Sequence, residues 1–353
     1  MRIFARSPYI IEVDESGQTG SKVEVFIWNS GSVPASPQYT LSKNVPTSTN
    51  SQTTYNVSPY VLEYFNLDAW SGVYNTYDVD VNTDHYANVQ IKRYKDVSGT
   101  FTLLDTIDYT AFSGFGLFSD GANPDLGRVM LDQGDYTYKE AVGVVGLDSN
   151  KAGTITIDTS LNDIIRYTNL NDSTVIDYNI TSTGVREFPR VHADNLADGN
   201  KVELIYNFVV VYRTYYFRPQ CENKYTPVII DYVNRYGAWA RTFFYKASKR
   251  SFKTSSKDFS SLHSSNTNYS LTEAKNSSFN FSGTESVSLN SGWVKEEYSE
   301  ELKQLMLSER ILLDGDPVKC DSKSLDIQKH LDTKQINYSL NFSYANDYMN
   351  NIV

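Results

Sequence analysis

Ala87-Asn88-Val89-Gln90-Ile91-Lys92-Arg93-Tyr94-Lys95 opens with Ala87, Val89 and Ile91 alternating with Asn88, Gln90 and Lys92. A period of two is the mark of a strand with one face in a core and the other in water. Asp96-Val97-Ser98-Gly99 ends it with turn residues, and Thr100 to Ile107 reads as the returning strand. Outward from this pair, Ile3 to Ala5, Val23 to Trp28 and Gln38 to Ser42 are further short strands, punctuated by Val33-Pro34-Ala35-Ser36-Pro37. This spacing predicts an immunoglobulin-like or fibronectin-like β-sandwich over residues 1–120.

Asp120 to Gly127 concentrates Gly, Asn, Pro and Asp, a boundary composition, and a second β-rich domain is expected over 128–253. Its strands are Gly153 to Asp158, Val175 to Ile180 and the long run Lys201 to Phe217, with Val202, Leu204, Tyr206 and Phe208 on one face. Pro227 to Val233 and Ala238 to Lys246 read as a hairpin, with Asn234 and Gly237 supplying left-handed backbone at the turn. Residues 254–290 are rich in Ser and Asn and predict an extended connector or arm. The apolar pairs Tyr269/Leu271, Phe279/Phe281 and Val287/Leu289 suggest that it adds strands to its own sheet or to a neighbouring subunit.

Residues 291–353 predict one amphipathic helix plus strands packing with the second domain. The helix spans about Lys295 to Glu309, with Tyr298, Leu302, Leu305 and Met306 on one face and acids in the first turn. Arg310 to Leu313, a turn at Asp314-Gly315-Asp316-Pro317, strands near Lys323 to Leu331 and a closing alternation from Ile336 to Tyr344 complete a mainly β fold with minor α.

The 353 residues include 27 Tyr and 17 Phe, types that suit half-buried sheet surfaces and subunit interfaces alike. A net charge of −10 repels phosphate backbones, so direct nucleic-acid binding is not expected. No apolar run is long enough for a signal peptide or a membrane span, the longest being Phe208 to Tyr212. The two cysteines, Cys221 and Cys320, exclude a disulfide framework and a four-thiolate zinc site, and point to folding in reducing cytoplasm. Triplets such as Asn179-Ile180-Thr181 and Asn268-Tyr269-Ser270 follow from the Asn/Ser-rich composition.

Catalytic, cofactor and metal residues are all expected to be none. Asp78, Asp80, Asn82 and Asp84 match the opening of a calcium loop, but Thr83 replaces its glycine and Val89 its closing Glu. His85, His192, His263 and His330 are scattered without metal spacing and read as surface residues. No G-x-S-x-G elbow surrounds a serine. Gly114-Phe115-Gly116-Leu117-Phe118 lacks the third glycine and the following helix of a phosphate loop, and reads as a domain-edge turn. Glu296/Glu297 and Glu300/Glu301 read as solvated helix-face acids.

Cys221-Glu222-Asn223-Lys224-Tyr225-Thr226-Pro227 leading to Val233-Asn234-Arg235-Tyr236-Gly237-Ala238-Trp239, and Leu289-Asn290-Ser291-Gly292-Trp293-Val294 leading to Leu307-Ser308-Glu309, resemble a family of virion proteins from tailed phages of Bacteroidetes-type bacteria. Pro317-Val318, Ser324-Leu325, Tyr338 to Ile352, Ser7-Pro8-Tyr9 and Gly17 to Lys22 extend the likeness to residues 1–66 and 202–353. The resemblance implies a non-enzymatic tail, baseplate or neck ring component located in the virion and assembled in the host cytoplasm. It carries over no active-site residue. The expected partners are copies of the chain in a ring and other virion proteins. The competing readings are a receptor- or glycan-binding fibre protein and, third, a hydrolase of cell-wall glycan, which needs a carboxylate pair across a cleft.

Overall fold

The alternation at Ala87 is realised as an antiparallel pair, Tyr86–Val97 with Thr100–Phe112. Ala87, Val89 and Ile91 are buried, and Asn88, Gln90 and Lys92 reach water. Ser98 at φ 51° and Gly99 at φ 89° make the two-residue reversal, matching the right-handed twist of the flanking strands. The structure is a computed structural model and describes residues 1–47, 50–67, 77–139, 152–206, 210–221, 224–261, 272, 274–327 and 336–349. The chain divides into two compact units. One comprises Met1–Glu222, Asp231–Thr242 and Leu307–Glu309; the other comprises Asn223–Ile230, Phe243–Met306 and Arg310–Val353. Asp120 to Gly127 therefore lies inside the first unit, and residues 254–290 lie inside the second.

The first unit contains β1 (Arg2–Phe4), β2 (Ile10–Val13), β3 (Gly20–Trp28), β4 (Tyr39–Asn44), β5 (Thr53–Asn56), α1 (Ser58–Leu62), β6 (Val79–Asp80), β7 (Tyr86–Val97) and β8 (Thr100–Phe112). It continues with β9 (Asp135–Lys139), β10 (Thr154–Thr159), β11 (Ile164–Asn169), β12 (Val175–Asn179), β13 (Gly184–Pro189), β14 (Asn200–Tyr206) and β15 (Val210–Gln220). Its sheets run β1-β8-β7-β3-β4, β2-β5, β10-β13-β6 and β12-β11-β14-β15-β9. Among the described residues, β1 pairs with β8 and β9 with β15 in parallel. Ile11, Val13 and Tyr55 of the two-stranded sheet share a core with Val23, Val25, Ile27, Val89 and Ile91 of the five-stranded one. Inside it Ser21 Oγ lies 2.5 Å from Thr53 Oγ1 and 2.6 Å from Tyr55 Oη, so these buried hydroxyls are satisfied.

Strands β16 (Val228–Val233) and β17 (Trp239–Phe244) contribute residues to both units. The second unit adds β18 (Lys249–Ser260), β19 (Asn276–Asn290), α2 (Tyr298–Met306), β20 (Ile311–Leu313), β21 (Asp316–Cys320) and β22 (Ser339–Tyr344). The sheet order is β17-β16-β20-β21-β22-β19-β18. Leu302 and Leu305 are the buried side chains of one face of α2, and Val287, Leu289, Leu340 and Phe342 are buried on one face of the β19-β22 ladder. Asp314 (φ 49°) and Gly315 (φ 97°) close the β20-β21 hairpin, so Asp316 and Pro317 belong to the strand and not to the turn. The protein is thus mostly β, with several sheets and little helix.

Several sequence expectations are corrected. Lys201 to Phe217 is not one strand but the antiparallel pair β14-β15. Its register shifts between Leu204 and Ile205, so Ile205 is buried and Tyr206 exposed, breaking the expected Val202-Leu204-Tyr206 face; Phe208 lies outside the described residues. Asn234 does not take left-handed backbone; only Gly237 does, at φ 82°. Asn234 acts through its side chain, Oδ1 accepting from the Tyr236 and Ala238 N–H groups at 3.0 and 3.2 Å and Nδ2 donating to Met130 O at 2.8 Å. The helix begins at Tyr298, later than Lys295, and ends at Met306. Residues 323–327 form no strand, and 328–331 lie outside the described residues. A one-turn 3-10 helix, Phe118–Asp120, does follow Gly114 to Leu117. Gly114 itself has no room for a side chain, since a Cβ there would lie 2.6 Å from Arg235 O.

Candidate functional site

The acidic run does not gather around a cation. Asp78 Oδ1 and Asp80 Oδ1 face Arg186 Nη1 at 3.7 and 3.2 Å, and Asn82 Oδ1 accepts the Asp84 N–H at 3.1 Å. Arg186 lies on β13, beside β6, and was invisible to a local reading of residues 78–84. Among the described residues no three His, Cys, Asp or Glu side chains meet as a metal site would require. Cys221 is exposed and Cys320 partly buried, and neither forms a disulfide. Glu296, Glu297 and Glu300 are exposed, and Glu300 accepts from Lys303 Nζ at 2.6 Å.

Two histidines expected at the surface are buried, and two, His263 and His330, lie outside the described residues. His192 is held between aromatic rings of Tyr77, Tyr167 and Tyr178. Its Nδ1 accepts the Asp194 N–H at 3.2 Å, so in the neutral ring the proton sits on Nε2, 3.0 Å from Tyr178 Oη. Burial lowers its pKa. His85 lines a small cavity of about 10 Å³ with Val81, Phe112, Thr156, Glu187, Gly237, Ala238 and Trp239. That volume is roughly the space of one water molecule. His85 Nε2 makes no hydrogen bond, and burial lowers the pKa of the ring. Desolvation pushes the Glu187 carboxyl up to about 7. The pair shares a wall because β13 carries Glu187 between β10 and β6, while the turn after β6 brings in His85.

A polar cleft of about 470 Å³ is lined by Asp120, Asp125, Leu126, Asp132, Gln133, Arg213, Arg235 and Tyr236. Arg213 spans it from behind, donating to Leu126 O and Leu131 O at 3.1 Å each. Tyr236 Oη donates to Asp132 Oδ1 at 2.5 Å, and Arg235 Nη2 approaches Asp120 Oδ2 at 3.7 Å. These charges already answer one another, as a structural network does, and no nucleophile and base are paired in it.

The most unusual surface is the β18-β19 hairpin. All twelve residues of β18 are exposed, and β18 is the last strand of its sheet, bonded on one side to β19. Ser251 with Ser286 (2.8 Å) and Ser255 with Ser282 (2.7 Å) bridge the two strands through hydroxyls. Phe252, Phe259, Phe279 and Phe281 are each about half exposed. Phe259 meets Phe279 edge-on at 5.6 Å, and Phe252 meets Tyr348 at 4.7 Å. Gly283 lies beneath Phe252, where a Cβ would come within 2.6 Å of the ring. Apolar rings are thus held on an otherwise hydrophilic ribbon. Within residues 254–290, the described parts of β18 and β19 pair with each other and, through β19, with β22.

No family model matches this chain, and no curated protein matches it. Among solved structures it is similar to the chain described as "Crystal structure of Pseudomonas aeruginosa CupB2 chaperone", at 9% identity, over 62% of this chain and 97% of that one, with a TM-score of 0.19. At that score neither fold nor function is transferred.

Proposed function

We propose that the protein is a non-enzymatic structural subunit of a tailed-phage particle, a tail, baseplate or neck ring component. It acts by contacts with copies of itself and with other virion subunits, after folding in the host cytoplasm. The observation that carries this reading is the arm: a twelve-residue edge strand, exposed throughout, that carries two half-exposed phenylalanines and pairs with a strand carrying two more. Exposed edge hydrogen-bonding groups together with anchored aromatic rings are what strand-addition interfaces use. In the same reading the five-stranded sheet and β2-β5, which share one core, form the immunoglobulin-like or fibronectin-like sandwich. Trp293, 53% exposed, favours the second reading, a glycan- or receptor-binding fibre protein, because an open indole can stack on a sugar ring.

Purified virions test the proposal directly. Quantitative mass spectrometry is expected to find the chain at a fixed multiple of a known tail subunit, and a density map to show it in a ring. Absence from particles overturns the proposal, and saturable binding of the free chain to host cells favours the fibre reading.

A further inference from the structure

We infer that β18 docks, as an added strand, onto an acidic surface of a second copy of this chain, in a head-to-tail contact. This deepens the structural-subunit reading and rests on it. Strand β18 carries Lys249, Arg250, Lys253 and Lys257 against Asp258, a net +3 on a chain of net −10, which leaves −13 on the remaining residues. Lys249, Lys253 and Lys257 make no ion pair among the described residues, Arg250 reaches Glu285 at 3.6 Å, and Asp258 accepts from Ser278 Oγ at 2.6 Å. A twelve-residue strand is about 40 Å long, enough for one side of an ordinary interface of roughly 800 Å² per partner.

The charge pattern selects the occupant and the symmetry. Lysines along an edge protect it against pairing with its own kind. Two β18 strands facing each other would set cation against cation, which weakens cross-strand pairing. Complementary charge lies instead outside β18, where the remaining residues of every copy carry a net −13. Contacts between two unlike faces propagate, closing into a ring or continuing as a helix. The half-exposed Phe252, Phe259, Phe279 and Phe281 add apolar area beside the strand, so the contact is steered by charge and held by burial.

The test mixes full-length chain of natural isotope content with the same chain labelled with 15N, then couples amines to carboxylates with a zero-length carbodiimide. Mixed-isotope links from Lys249, Lys253 or Lys257 to Asp or Glu outside residues 249–290 are expected. In sedimentation the K249E/K253E/K257E variant is expected to self-associate about tenfold more weakly than wild type, as loss of a steered charge contact predicts. The matching Arg variant is expected to retain association, and all three proteins to share one circular-dichroism spectrum and melting temperature. Links confined to single-isotope pairs overturn the inference, as does equal association of the Glu and Arg variants. A wild-type chain that stays monomeric throughout the concentration series, yet is present in virions at fixed copy number, overturns the homotypic contact and leaves the structural-subunit reading standing. Self-association through these lysines in a chain absent from virions does the reverse. Association seen only when DNA or RNA is added overturns the homotypic contact.

Discussion

At the scale of single residues, two buried acids set measurable expectations. Below about pH 7 Glu187 holds a proton in the folded state, its pKa raised by burial from 4.5 to about 7. The unfolded chain releases that proton at lower pH, so stability is full below about 4.5 and falls as pH rises through about 7. The shift corresponds to about 3 kcal/mol. Glu187→Gln is expected to abolish this fall, unfolding at higher urea than wild type at pH 8 and close to it at pH 4. His85 acts in the opposite sense: burial lowers its pKa, so its contribution is lost as pH drops below the ordinary histidine value of 6.5. Asp163 is fully buried, accepts the Ser160 N–H at 2.8 Å and pairs with Arg128. Asp163→Ala leaves that guanidinium uncompensated and is expected to cost about 3–5 kcal/mol in a denaturation series. Neither role was legible locally. Ser160-Leu161-Asn162-Asp163 reads as an ordinary turn, and Glu187 as the polar half of a strand, because Arg128 and the groups around Glu187 come from distant parts of the chain.

At the scale of elements, the β16-β17 hairpin was legible but the reason for its glycine was not. Gly237 has φ 82°, and a Cβ on it would also lie 2.6 Å from the backbone of Ser113. Gly99, at φ 89°, has nothing within 4 Å of the same position. Gly237→Ala is therefore expected to destabilise by about 2–4 kcal/mol and Gly99→Ala by about 1 kcal/mol, as read from chemical unfolding. The alternating parts of β7 and β22 were readable because Ala87, Val89 and Ile91, and Leu340 and Phe342, put one face in a core. Strand β14 was misread because a register shift after Leu204 exchanges its faces, and nothing in the residue types announces it. Strand β11 was missed, although Ile165, Tyr167 and Asn169 alternate with Arg166 and Thr168 and are buried. That signal was present and detectable.

At the scale of the whole molecule, the two compact units do not follow the composition boundary at Asp120 to Gly127, because the chain returns to the first unit at Asp231–Thr242 and again at Leu307–Glu309. Long-range returns leave no local mark on composition. The charge separation between β18 and the remaining residues is readable from residue types, but its meaning depends on β18 being an exposed edge, which its Ser-rich sequence does not state. The proposed self-association belongs to this scale, since it requires both the basic edge and the acidic remainder on every copy.

The amino-acid sequence by itself determined a mainly β protein with one amphipathic helix, tight Gly turns and a Ser- and Asn-rich stretch at 254–290 on an acidic chain, because periodicity, turn chemistry and composition are properties of neighbouring residues. Only the tertiary structure decided which strands are neighbours, that His85 and Glu187 share a small cavity, that Asp78 and Asp80 answer Arg186, and that β18 is left at an edge. Those outcomes depend on the desolvation and pairing of groups up to a hundred residues apart, which no local pattern encodes.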